Sequence, residues 1–136
     1  MAGPVVPMPD AEAVVIGVLA PLRAEGVTVG TEWPENVADR LPVVAVSRGG
    51  GATGLRYVTD EPTLDIDVLA ADKATAHDLA QNVRARLFAA RGTVQDGVRI
   101  YGVDDTSLIW LPDEATGIPR YVLVMSMVTR PVPMTP

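Results

Sequence analysis

The titratable side chains of this chain offer few arrangements that could do chemistry. His77 is the single histidine in 136 residues, so any serine–histidine or histidine general-base scheme has to run through it. It falls on the polar side of a helical repeat, with Asp78 pointing about 100° away around the axis, which reads as a surface histidine and not a catalytic base. Asp65 and Asp67 alternate with Leu64, Ile66 and Val68. On a strand that spacing sets both carboxylates on one side roughly 7 Å apart, enough for a divalent cation only if further oxygens join. Asp72 lies beyond the strand, and Asp104, Asp105, Asp113 and Glu114 fall where turns and caps use carboxylates. The pair therefore reads as solvated or interface carboxylates.

Gly49-Gly50-Gly51-Ala52-Thr53-Gly54 has the letters of a dinucleotide loop. Such a loop must open a helix whose amides face the phosphates, whereas Leu55 to Thr59 is β-rich and Pro62 follows, so a mobile loop is expected instead. No Gly-Lys-Ser/Thr occurs, and the absence of cysteine removes thiolate zinc sites, thiol catalysis and disulfides. The expectation is no enzyme, no metal and no cofactor. Eleven basic residues stand against 17 acidic ones, a formal charge of -6. Ten of the eleven are arginine and they are scattered, which disfavours nucleic-acid binding. Neither an apolar run of membrane-spanning length nor a signal-peptide pattern is visible, so no membrane contact is expected.

These residues need a scaffold. The length suits one domain, able to bury about two thirds of its surface. Pro4, Pro7 and Pro9 predict an extended arm over 1 to 9. Asp10 opens a helix carrying Ala13, Ile16 and Ala20, with Gly26 as its cap, and Pro21 predicts a kink near Gly17 or an early end at Leu19. Val27 to Glu32 reads as a strand closed by Trp33-Pro34, and Pro42 to Val46 as a second strand antiparallel to it. Thr63 to Leu69 follows. Asp72 starts a helix of about 20 residues in which Ala76, Leu79, Ala80, Val83, Leu87 and Ala90 repeat at three and four, ended by Gly92. Val98 to Val103, Leu108 to Leu111 and Arg120 to Thr129 read as three strands, the last apolar on both faces and so central or covered by a second subunit. Pro131, Pro133 and Pro136 predict an unpaired tail over 131 to 136. The order argues for an α+β fold, a single domain over 10 to 130 with two helices packed on one face of a mostly antiparallel sheet.

The most specific signal is long-range. The strand Pro62-Thr63-Leu64-Asp65-Ile66-Asp67-Val68-Leu69 runs into the helix of Ala76 to Leu87, and Leu111-Pro112-Asp113-Glu114-Ala115-Thr116-Gly117-Ile118-Pro119-Arg120-Tyr121 leads into a final strand ending at Arg130. In order, spacing and length this resembles the tail terminator (tail-completion) family of long-tailed, siphovirus-type actinobacterial bacteriophages, over about residues 10 to 130. The resemblance implies a structural virion protein of the tail's neck region, made in the host cytoplasm. It implies a homohexameric ring on the head-proximal end of the tail tube, which stops tube polymerisation and joins the tail to the head-side connector. It implies as partners the tail tube protein and the connector or stopper, with DNA passing through the channel without specific binding, and it brings no catalytic residues. Asp65, Asp67, Arg120 and Arg130 are the candidate interface or lumen residues. A head-side stopper of the same neck shares size and ring symmetry, and a small cytoplasmic ligand-binding domain is the alternative from a different class.

Overall fold

The computed structural model describes residues 7–53 and 59–131. The arm expected over 1 to 9, the Leu55 to Thr59 stretch and the tail expected over 131 to 136 lie mostly outside that range. Helix α1 (Ala11–Leu19) begins where extended Asp10 accepts the Ala13 amide at 3.1 Å. Pro21 has no amide to continue the ladder, so the chain tightens after Leu19 into a 3-10 helix over Ala20–Glu25, closed by Gly26 at φ 87°. Of the two expected outcomes the early end is the one found.

The strands are β1 (Thr28–Gly30), β2 (Val43–Thr53), β3 (Asp60–Leu69), β4 (Val94–Gln95), β5 (Val98–Trp110) and β6 (Arg120–Pro131). They form one sheet in the order β1-β2-β3-β6-β5-β4, with β6 internal as its two apolar faces require. Three expectations need correction. β1 and β2 are parallel, not antiparallel. Residues 31 to 42 cross over the sheet to bury Trp33, Val37 and Leu41 against Val43, Leu69 and Ile118, so the apolar side chains of the connection prevent a simple hairpin. The expected loop at Gly49 to Gly51 is strand: β2 continues through a bulge between Arg48 and Gly50 and pairs with β3 as far as Thr53 and Asp60. Gly51 holds φ 102° with its α-carbon against the Glu61 carbonyl, where a β-carbon has no room. Finally, the two strands expected at 98–103 and 108–111 are one, because bulges beside Gly102 and Ser107 absorb the polar Asp104-Asp105-Thr106 stretch without ending the pairing with β6.

Helix α2 (Lys73–Ala89) is capped by Asp72, whose carboxylate accepts the Thr75 amide at 2.8 Å. Ala76, Ala80, Val83 and Leu87 are buried, and the two alanines let the helix approach the sheet closely. Leu79, expected in this face, is only half-buried at its margin. Both helices lie on the same side, over Val44, Val46, Leu64, Ile66, Val68, Leu123 and Met125. The protein is thus a single α+β domain.

Candidate assembly surface

Strand alternation decides which residues share the other side of the sheet. Asp65 lies opposite Val124 and Asp67 opposite Val122. On β5, Ser107 faces Val124 and Ile109 faces Val122. Directly paired residues point to one face, so two carboxylates, two valines and an isoleucine share a patch on the side of the sheet away from α1 and α2. Leu64, Ile66, Val68, Leu123 and Met125 on the helix side are 0% exposed, while Ile109 and the neighbouring Leu111 are each 50% exposed. Apolar area of this kind on an uncovered face marks a contact surface more than a catalytic one.

The candidate site residues fall on this patch and its ends. The Asp67 Oδ2 accepts the Trp33 Nε1–H at 2.9 Å. The Arg120 guanidinium lies 5.4 Å from the centre of the Trp33 ring and donates from Nε to the Leu111 carbonyl at 2.8 Å. The indole therefore bridges Asp67 and Arg120, a role the sequence reading missed. The signal available for it was a tryptophan inside a polar connection, whose N–H needs an acceptor once the ring is packed down. The Asp65 carboxylate lies against Gly49, where any β-carbon would collide with it. Arg130 is exposed at the far end of β6, in register with Arg99. The structure brings Asp67 and Arg120 together through Trp33, sets Asp65 on the same face farther along β3, and leaves Arg130 apart.

A second feature absent from the sequence reading is the clamp on the β2–β3 hairpin. Arg48 donates from both terminal nitrogens to Asp60, Nη1 to Oδ2 at 2.7 Å and Nη2 to Oδ1 at 2.9 Å. Asp60 is 1% exposed, so its charge depends on that fork. Hydrogen bonding to the Asp60 carboxylate raises the Arg48 guanidinium above its ordinary value against a smaller opposing effect of burial. On the opposite loop, the Thr116 hydroxyl bonds Asp113 and holds that carboxyl below the usual range. The amide of Thr75 does the same for Asp72.

His77 sits on the exposed side of α2, its ring edge-on to Tyr121 at 5.4 Å between centres and its Nδ1 3.8 Å from Asp78. Neither contact supplies a nucleophile or a substrate pocket, in keeping with the surface reading. Among the described residues no group of three or more His, Asp or Glu could hold a metal ion. No helix among them is long and apolar enough to cross a membrane.

A helix-backed sheet whose second face the described residues cover only at the Val43–Leu69 end, leaving the rest partly apolar and open, is the form of a structural subunit that works by assembling. Comparison with known proteins gives that class its family. The phage tail termination protein family matches residues 7–108, and the chain belongs to it: this is a structural tail protein of a phage virion, not an enzyme, as the sequence resemblance implies. A chain from the virion of a native gene transfer agent particle shares the fold, with a TM-score of 0.65 and 19% identity over 88% of this chain and 94% of that one. No curated protein sequence matches the chain.

Proposed function

We propose that the protein is the terminator itself: six copies close into a ring on the head-proximal end of the tail tube, stop its polymerisation and present a surface to the head-side connector in the neck. Family membership carries this reading, and the sheet face turned away from both helices supports it. With both helices on one side, a ring can turn the other side inward, where Asp65 and Asp67 face the channel. Six charges of -6 amount to -36 for the ring, and any share of this at the lumen repels phosphate, so DNA passes without binding. Arg120 and Arg130, at the two ends of β6, are then placed to meet neighbouring copies or the flanking tube and connector.

Mass and morphology test the reading. Six copies of 14.4 kDa make a ring of about 86 kDa. Particles lacking the protein should carry overlong tubes in electron micrographs. Full heads that leak DNA through normal tails would point to a stopper instead.

A further inference from the structure

The described residues leave two long edges of the sheet without a partner strand. β1 pairs with β2 only from Val43 to Ala45, so residues 46 to 53 of β2 have no strand on their outer side among the described residues. β4 pairs with β5 only at Val98 and Arg99, and Gly92 and Thr93 reach Ile100, which leaves residues 101 to 110 bare in the same sense. Amide and carbonyl groups alternate sides along a paired strand. Ile100 bonds outward to Thr93 and the Leu111 amide bonds inward to Arg120. Between them, with the two bulges counted, Val103, Asp105, Leu108 and Trp110 direct their backbone groups outward. On β2 the outward phase is marked by the Arg48 amide, which Glu12 Oε2 accepts at 2.8 Å. Beyond Arg48, Gly49, Gly50 and Gly51 present no side chain that would hold a partner strand away.

Long uncovered edges are templates for pairing, and natural sheets rarely leave them open. We infer that the outer edge of β5 pairs with the outer edge of β2 of the next copy, joining the sheets of the ring into one; this rests on the ring proposed above. The two edges lie at opposite ends of the strand order, so the contact is head-to-tail and uses two different patches, as cyclic closure requires. From β2 to β3 to β6 to β5 each step is antiparallel, so β2 and β5 run in opposite directions. Rotation about a ring axis along the strands preserves that sense, which makes the joint antiparallel, the more stable pairing. The short strands also make room. β1 occupies the Val43 end of β2 and β4 the Val98 end of β5, and these ends lie at opposite ends of the sheet. An incoming β2 fits beside 101 to 110 with its own β1 beyond Trp110, in the staggered arrangement that tilted strands in a closed sheet adopt. Closure then covers both long edges and leaves only the short β1 and β4 with an outer side.

Two variants at one position separate the joint from a local effect. Asp105→Ala and Asp105→Pro both lose the 2.9 Å ion pair with Arg84, but only proline removes an outward amide. The alanine variant should assemble within about threefold of the parent, whereas proline should weaken assembly at least about tenfold with the monomer's circular dichroism unchanged. Equal assembly by two folded variants would overturn the joint. Should the proline variant unfold, hydrogen exchange on the unaltered chain decides. Amides within 46 to 51 and 101 to 110 should slow together at least about tenfold from dilute monomer to ring, and rings whose two segments exchange at the monomer rate would also overturn the joint. Failure of the ring reading looks different: a chain that stays monomeric when concentrated and when added to tail tubes isolated from the same virion.

Discussion

On β3, Leu64, Ile66 and Val68 have no exposed surface, whereas Asp65 and Asp67, one residue along each time, remain partly in water. β6 carries the contrast further: Leu123 and Met125 are sealed under the helices, while Val122 and Val124 are equally apolar and lie half-buried on the open side. Alternation alone therefore does not mark the outer face of β6. What separates the two sides is where the helices lie. The helix-covered side supplies folding energy through close packing, and the open side keeps apolar area, carboxylates and one tryptophan-bridged cluster available for contact.

The largest test of that contrast is truncation on the sealed side. Leu123→Ala or Leu87→Ala should cost about 2 to 5 kcal/mol in denaturant unfolding, because both side chains are enclosed and leave a cavity. Val124→Ala, on the open side, should cost about 1 kcal/mol or less in the monomer. Similar losses for Leu123 and Val124 would abolish the distinction between faces. Leu79→Ala should fall below Leu87→Ala, since Leu79 sits at the helix margin.

The Arg48–Asp60 clamp comes next. Arg48→Met strands a buried carboxylate and should cost about 2 to 4 kcal/mol, less than a fully enclosed pair because the Arg48 side chain keeps 33% of its surface exposed. Adding Asp60→Leu should recover most of the loss, and no recovery would show that the fork matters for geometry more than charge. On the open face, Trp33→Phe removes the donor to Asp67 while keeping an aromatic ring under Arg120, and a loss of about 1 kcal/mol is expected by the same unfolding measurement.

Smaller still are the capped carboxylates. Asp72 and Asp113 titrate below their unfolded value, so their stabilisation is complete above about pH 4 and is lost as pH falls through the lower folded value. Asp72→Ala should shift the unfolding midpoint down slightly at neutral pH and flatten the acid limb of the stability curve. An acid limb identical to the parent's would detach the cap from stability. The smallest effect on folding belongs to Asp65→Lys, within about 0.5 kcal/mol. In the proposed ring it should nonetheless slow DNA ejection at low salt and less so at high salt. It is a cleaner probe than a change at Asp67, which also breaks the Trp33 bond. Ejection at the parent rate from correctly assembled particles would remove Asp65 from the channel wall.

The elements set by local chemistry could be read from the sequence. Asp10 and Asp72 as caps, Pro21 as a break in the first helix (kink or early end), the alternation of Thr63 to Leu69 and the repeat from Ala76 to Leu87 each depend on neighbours within a turn or a strand. So did the shared side of Asp65 and Asp67, which follows from period two; the two apolar faces of β6 left it central or covered by a second subunit, and the sheet order makes it central. Tertiary structure decided what depends on distant partners. The glycines at 49 to 51 read as a loop because their weak preference carries no pairing information, and only β3 lying alongside makes them strand. Asp104-Asp105 read as a turn because two polar residues interrupt an apolar run, while pairing with β6 absorbs them as a bulged stretch. The parallel β1–β2 pair, the Trp33 bridge and the Arg48–Asp60 fork join residues whose proximity no local period encodes. The sense of β1 was set by where the apolar side chains of residues 31 to 42 could be buried, and that place exists only once β2, β3 and the Ile118 loop have come together.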